Sequence, residues 1–113
     1  MCAAGLLLSA VCAFHVVDGD TVRLGTETIR LVGCDAPETH HAKCGAERRL
    51  GEVASTRLRD LLCAPGTNVV IDRGERPRLD RYRRMLARIF VDGQDVADLM
   101  IEAGLARHEH PLD

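Results

Sequence analysis

Between Ile29 and Thr39 the chain sets one arginine and two carboxylates, Arg30, Asp35 and Glu38, around a break at Pro37. In an extended segment Arg30 points away from the face that Ile29 and Leu31 bury, because side chains alternate along a strand. Pro37 ends ladder donation and keeps the residue before it out of helix, so Asp35 and Glu38 fall where a strand stops and the backbone turns. A second carboxylate, Asp20, closes the turn Asp18-Gly19-Asp20-Thr21. With Asp35 at a neighbouring strand end, Asp20 can share a hard cation, and oxygen-only donors suit Ca²⁺ or Mg²⁺ rather than zinc. The Ala36 carbonyl, at the broken strand, is a natural further donor. Glu38, just beyond, is within reach of activating a water. Arg84 starts a later apolar run and approaches from the far side. Two arginines opposing a divalent cation suit phosphoryl chemistry, where charge grows as water attacks phosphorus.

The elements that must position these groups follow from periodicity. Phe14 to Val17, Thr21 to Leu24 and Thr28 to Cys34 read as three short strands joined by tight turns, an antiparallel meander. A polar, irregular loop follows from Thr39 to Gly45. Ala46 to Cys63 then carries Leu50, Val53, Ala54, Leu58, Leu61 and Leu62 at helical spacing, with Gly51 costing about 1 kcal/mol inside it. Ala64-Pro65-Gly66 ends that helix. Asn68 to Asp72 and Arg84 to Val91 read as strands four and five, with an arginine-rich loop between them. Asp95 is placed to cap a shorter helix that stops at Gly104. Five short strands with a helix after the third predict an α+β fold, a five-stranded OB-type barrel in which closure removes exposed edges and the helix plugs one end.

The 113 residues suit one domain, and 46% apolar residues is ordinary for a globular chain. A net charge of −2 excludes a protein that coats nucleic acid through bulk charge, yet arginines crowd the segment from Arg73 to Arg88. Arginine's planar fork suits phosphate better than lysine's point charge. No apolar run reaches the length of a membrane span, and a monomer without stable membrane association is expected. Five cysteines leave at least one unpaired, and no C-x-x-C or zinc-finger histidine spacing occurs. In an exported protein, Cys44 with Cys63 is one disulfide the sequence allows. Residues 1–13 have an apolar centre and end in small residues. They read as a partial export signal with a cleavage motif at Val11-Cys12-Ala13, or as a plain apolar leader; the signal implies a secreted or periplasmic protein. Residues 14–113 form the domain.

Four motifs in order and spacing resemble the staphylococcal nuclease family: Asp18-Gly19-Asp20-Thr21, Arg30 to Thr39, Asp80-Arg81-Tyr82-Arg83-Arg84, and Gly104-Leu105-Ala106. The resemblance implies a Ca²⁺-dependent phosphodiesterase that cuts DNA and RNA and leaves 3′-phosphates. By that likeness Asp20, Asp35 and the Ala36 carbonyl bind calcium, Glu38 is the general base, and Arg30 and Arg84 hold the phosphate. Tyr82 and Arg81 contact the nucleotide, His110 takes the place of a base-stacking aromatic, and Asp18 supports the metal site. The alternative is a catalytically impaired relative that only binds nucleic acid. Three departures accompany the likeness. Arg83 stands where the family has glycine, His110 stands near its aromatic, and the chain stops at Asp113 where a further helix is expected.

Overall fold

The computed structural model describes residues 12–40 and 42–109. The leader up to residue 11 and His110 therefore lie outside the described residues. Three strands, β1 (Phe14–Asp18), β2 (Thr21–Leu24) and β3 (Glu27–Leu31), form the expected antiparallel meander. The alternation is as read: Val22, Ile29 and Leu31 are buried, while Arg23 faces out and Arg30 lies on the side opposite the core. After the helix α1 (Gly45–Cys63), β5 (Val69–Asp72) pairs antiparallel with β6 (Met85–Val91), and β6 runs parallel to β3. The main sheet thus has the order β1-β2-β3-β6-β5. The second helix, α2 (Val96–Glu102), is capped by Asp95, whose Oδ1 accepts from the Ala97 N–H at 2.9 Å. It stops at Gly104 with φ 74°. The Gly104 N–H bonds Ile101 O and the Leu105 N–H bonds Met100 O, a left-handed C-terminal cap.

The fold is α+β, and four details differ from the sequence reading. The third strand does not run on to Cys34. It breaks at Val32-Gly33, where Gly33 takes φ 100°, and resumes as β4 (Cys34–Asp35). That φ favours glycine and turns β4 off the main sheet, to pair with β8 (Arg107–His108). The last long strand begins at Met85 rather than Arg84, and a short β7 (Gln94–Asp95) pairs back onto it. The ladders of the described residues leave β1 and β5 as open edges instead of closing a ring. β1 is irregular between Val16 and Asp18, and β5 is only four residues long.

The fourth difference concerns α1. Of the apolar stripe read from the sequence, Ala54, Leu58 and Leu62 are buried and Leu61 packs against them, but Leu50 and Val53 are exposed, and Gly51 and Ser55 are buried in their place. Its small-residue side faces the turns that carry Asp20 and Glu38. A Cβ at Gly51 would lie 2.8 Å from the Glu38 carbonyl oxygen, and one at Gly19 would lie 2.7 Å from the Ala54 Cβ. Leucines on that face would hold the helix away, so the apolar stripe is rotated toward glycine and alanine. Gly51 is therefore the space in which the Glu38 backbone sits.

The cysteine pairing also differs. Cys63 is bonded to Cys12, not to Cys44. Cys44 and Cys63 flank opposite ends of a helix of 19 residues, about 28 Å apart at 1.5 Å per residue, and a disulfide spans at most about 7 Å between Cα atoms. Among the described residues, Cys34 and Cys44 are free.

Candidate active site

Arg30 is the centre of the arrangement. Its Nη1 donates to two carbonyl oxygens, Leu31 O at 2.6 Å and Cys34 O at 2.8 Å, which lock the side chain across the Gly33 turn. Its Nη2 faces three carboxylates: Asp20 at 3.6 Å, Asp35 at 3.6 Å and Glu109 at 3.5 Å. Asp20 is nearly buried. Its Oδ1 accepts from the Thr21 hydroxyl at 3.0 Å and its Oδ2 from the Ala36 N–H at 2.9 Å. Its backbone carbonyl accepts from the Leu31 N–H, so the first turn is stitched to β3. Burial raises the Asp20 pKa, and the nearby Arg30 offsets this only in part. Asp35 faces Arg30 through one oxygen and Arg107 through the other, at 3.6 Å.

The raised pKa makes ionised Asp20 a cost to the fold, which sets a sign. The cost is absent below the carboxyl's unfolded pKa and grows as pH rises through the raised folded value. Asp20→Asn, which can still pair with Thr21 and Ala36, is expected to raise the melting temperature at pH 7 in cation-free buffer. The gain should vanish in acid. Melts of both proteins across pH measure it; a lower melting temperature for the variant at neutral pH would show that the buried charge is not the controlling feature.

Arg84 is positioned by Asp80. Asp80 Oδ1 accepts from the backbone N–H groups of Tyr82 (2.8 Å) and Arg84 (2.9 Å), and its Oδ2 accepts from Arg84 Nε (2.7 Å). Burial alone would raise the Asp80 pKa, but these hydrogen bonds outweigh it and lower the value. Arg83 does adopt a left-handed φ of 65°, a conformation costing a non-glycine residue roughly 1–2 kcal/mol. The Asp80 hydrogen bonds span this strained residue and hold Arg84 in place. Tyr82 is exposed, with Arg81 over its ring at 4.9 Å and Arg84 at 5.4 Å.

Arg30, Asp35, Arg81, Tyr82 and Arg84 all line one cleft of about 1060 Å³, together with Arg73, Arg76, Arg78, Arg88 and Glu109. Asp20 adjoins it beneath Arg30. Glu38 is exposed and does not line this cleft, although its loop is tied to the first turn by the Thr39 N–H on Asp18 Oδ1 at 3.1 Å. Cys34 is no nucleophile here, since burial pushes its thiol up to about 12. Two residues escaped the sequence reading. Asp80 was visible only as part of a motif. Glu109 had no signal at all, because its partner Gly33 lies 76 positions away.

A model of the staphylococcal nuclease homologue family matches residues 28–112. The chain belongs to this family. It is 35% identical over 97 residues to the SPbeta prophage-derived endonuclease YokF of Bacillus subtilis (strain 168), covering 82% of this chain and 32% of that protein. Endonuclease YncB of the same organism is 34% identical over 97 residues, covering 82% of this chain and 44% of its own length. The succinoglycan biosynthesis protein ExoI of Rhizobium meliloti (strain 1021) is 35% identical over 95 residues, 80% of this chain and 48% of that protein. The chain thus spans about a third to a half of the length of these relatives. Within the family match the cleft arginines and Asp35 are included, while Asp18 and Asp20 precede it.

Proposed function

We propose that the chain is a Ca²⁺-dependent phosphodiesterase that hydrolyses DNA and RNA internally and leaves 3′-phosphates. The observation that carries this reading is the convergence of Arg30 and Arg84 on one cleft, with Asp35 in the cleft wall and buried Asp20 behind Arg30. The endonuclease names of YokF and YncB support it. The residues also fit a hard cation. Asp20 carries a buried charge that Arg30 neutralises only in part, and Asp35 adds to it. By the family likeness the donors would be Asp20, Asp35 and the Ala36 carbonyl; among the described residues no group of three or more His, Cys, Asp or Glu is gathered as a metal site.

When bound, the cation supplies Lewis-acid polarisation of a phosphoryl oxygen. Arg30 and Arg84 bind the non-bridging oxygens and stabilise the charge that builds on them. Glu38 accepts the proton of the attacking water, whose oxygen bonds to phosphorus as the bond to the 5′ oxygen breaks. The 5′ oxygen takes up a proton and the phosphate stays on the 3′ side. Tyr82 and Arg81 hold the nucleotide; His110, the base-stacking candidate of the sequence, lies outside the described residues. Asp18, by accepting from Thr39, anchors the loop that bears Glu38.

We further propose that the protein is a monomer and that it works outside the cytosol; the Cys12–Cys63 bond, which suits an oxidising compartment, supports the second point. A leader cut after Ala13 would discard Cys12, so processing is expected upstream of it.

One observation favours a second reading, a binding module without catalysis: Glu38 stands exposed outside the cleft. A thermal melt with Ca²⁺ and a nucleoside 3′,5′-bisphosphate, followed by plasmid digestion, separates the two. The enzyme is expected to melt higher with both ligands, because binding stabilises the native state, and its cleavage is expected to stop in chelator. A ligand-linked rise without cleavage would support the binding module. No rise and no cleavage would overturn both.

A further inference from the structure

Glu109 stands in the cleft where neither the sequence motifs nor the proposed reaction gives it a role. It follows β8 directly and closes back on the Gly33 turn. Its Oε1 accepts from the Gly33 N–H at 3.1 Å, and its own N–H donates to Gly33 O at 3.3 Å. Its Oε2 lies 3.5 Å from Arg30 Nη2. The side chain is 30% exposed, so it faces the solvent of the cleft rather than the core.

The three carboxylates around Arg30 Nη2 differ in what else they do. Asp20 is buried and engaged by Thr21 and Ala36, and Asp35 is shared with Arg107. Both would also be neutralised by a cation. Glu109 is the carboxylate left facing any phosphate that comes to Arg30. Arg30 Nη1 is held by two carbonyls, so a phosphate must approach on the Nη2 side, beside Glu109.

We propose that Glu109 is a specificity-determining residue: it selects phosphodiester monoanions within a chain over terminal phosphomonoester dianions at Arg30. The inference rests on the reading of Arg30 as a phosphate-binding residue. Its basis is the Coulomb repulsion from Glu109, which doubles from a monoanion to a dianion and so offsets part of the dianion's stronger attraction to the arginines. At about 6 Å in a water-like dielectric, each unit of phosphate charge weakens binding about threefold. Glu109 therefore disfavours a diester about threefold and a terminal monoester about tenfold. The consequence is a shift toward cutting inside strands, and weaker retention of end products, than a neutral residue at position 109 would give.

The test uses Glu109→Gln, which keeps an acceptor for the Gly33 N–H and removes the charge. Calorimetry in Ca²⁺ buffer would compare a nucleoside 3′,5′-bisphosphate with the same compound carrying a methyl ester on its 5′-phosphate. In the variant the bisphosphate is expected to bind about tenfold tighter and the methyl ester about threefold tighter. Added salt should shrink the difference, since exposed charges are screened. Equal shifts for the two ligands, no shift, or weaker binding of both would overturn the inference; the last would mark Glu109 as a strut for the Gly33 turn. Arg30→Ala is the companion variant. If it abolishes binding while Glu109→Gln changes nothing, the phosphate reading of Arg30 stands and only the inference fails. If Arg30→Ala binds like the unmodified protein, both fail.

Discussion

Arg84→Ala is expected to lower phosphodiester hydrolysis by about 10²–10³-fold while the protein stays folded, the range seen when one preorganised transition-state donor is removed. Two structural facts make this variant informative. The loop does not depend on the guanidinium for its shape. Asp80 Oδ1 holds the backbone N–H groups of Tyr82 and Arg84, and Asp80 N donates to Arg84 O at 2.8 Å, whatever side chain residue 84 carries. The ion pair from Arg84 Nε to Asp80 Oδ2 is also partly solvated, and such pairs contribute only about 0.2–1 kcal/mol. Stability should therefore fall little. The loss should appear in turnover more than in binding, because Arg73, Arg76, Arg78 and Arg81 still line the cleft and hold the polyanion. Arg84→Lys should recover only part of the rate, since lysine cannot bond Asp80 and a phosphate with one planar fork. Steady-state rates on a plasmid or oligonucleotide, beside a melt of each variant, give the answer. Undiminished cleavage by Arg84→Ala would remove Arg84 from the proposed mechanism.

The parts of this molecule that were legible in the sequence are those fixed by local chemistry. Alternation in Thr21–Leu24 and around Ile29–Leu31 placed the meander and turned Arg30 from the core, and both are found. Asp95 and Gly104 marked the ends of α2 because capping is a matter of a few neighbouring residues. What periodicity missed depends on distance of approach. Counting apolar positions in α1 includes Leu50 and Val53 beside Ala54 and passes over Gly51, whereas the helix is oriented by Gly51 and Ala54, where the Glu38 loop and the first turn come within contact. Gly33 looked like one residue of a continuous strand; its positive φ splits that strand and sends β4 to meet β8. The contacts that define the site around Arg30 are of the same nonlocal kind. Asp20 and Asp35 could be read from the sequence because each sits beside a local turn or break signal, and Glu109 could not, because only the closure of a distant two-residue strand brings it there.

The disulfide is the other nonlocal feature, and the one with the largest expected effect on stability. Cys12 precedes β1 and Cys63 is the last residue of α1, so their bond ties the start of the sheet to the far end of the helix that packs on it. The bond closes a loop across 51 positions, for which the chain-entropy estimate is about 4 kcal/mol. Domains of this size are stabilised by only about 5–15 kcal/mol in all. Cys12→Ser, or reduction of the unmodified protein, is accordingly expected to cost about 2–4 kcal/mol and to lower the melting temperature by roughly 10–20 °C. The two treatments should agree, and reductant should do nothing further to the described domain of Cys12→Ser, because among the described residues Cys34 and Cys44 are free. Cys44→Ser is the control that the sequence-based pairing would have made destabilising; here it should melt within about 0.5 kcal/mol of the unmodified protein, as an exposed position does. The bond also bears on catalysis through α1, whose Gly51 face supports the Glu38 backbone. Loosening the helix end should therefore reduce turnover below the melting transition, whereas a purely global loss of stability would leave the rate of the folded fraction unchanged. A Cys12→Ser protein that melts with the unmodified one would show that α1 and the sheet hold each other by packing alone.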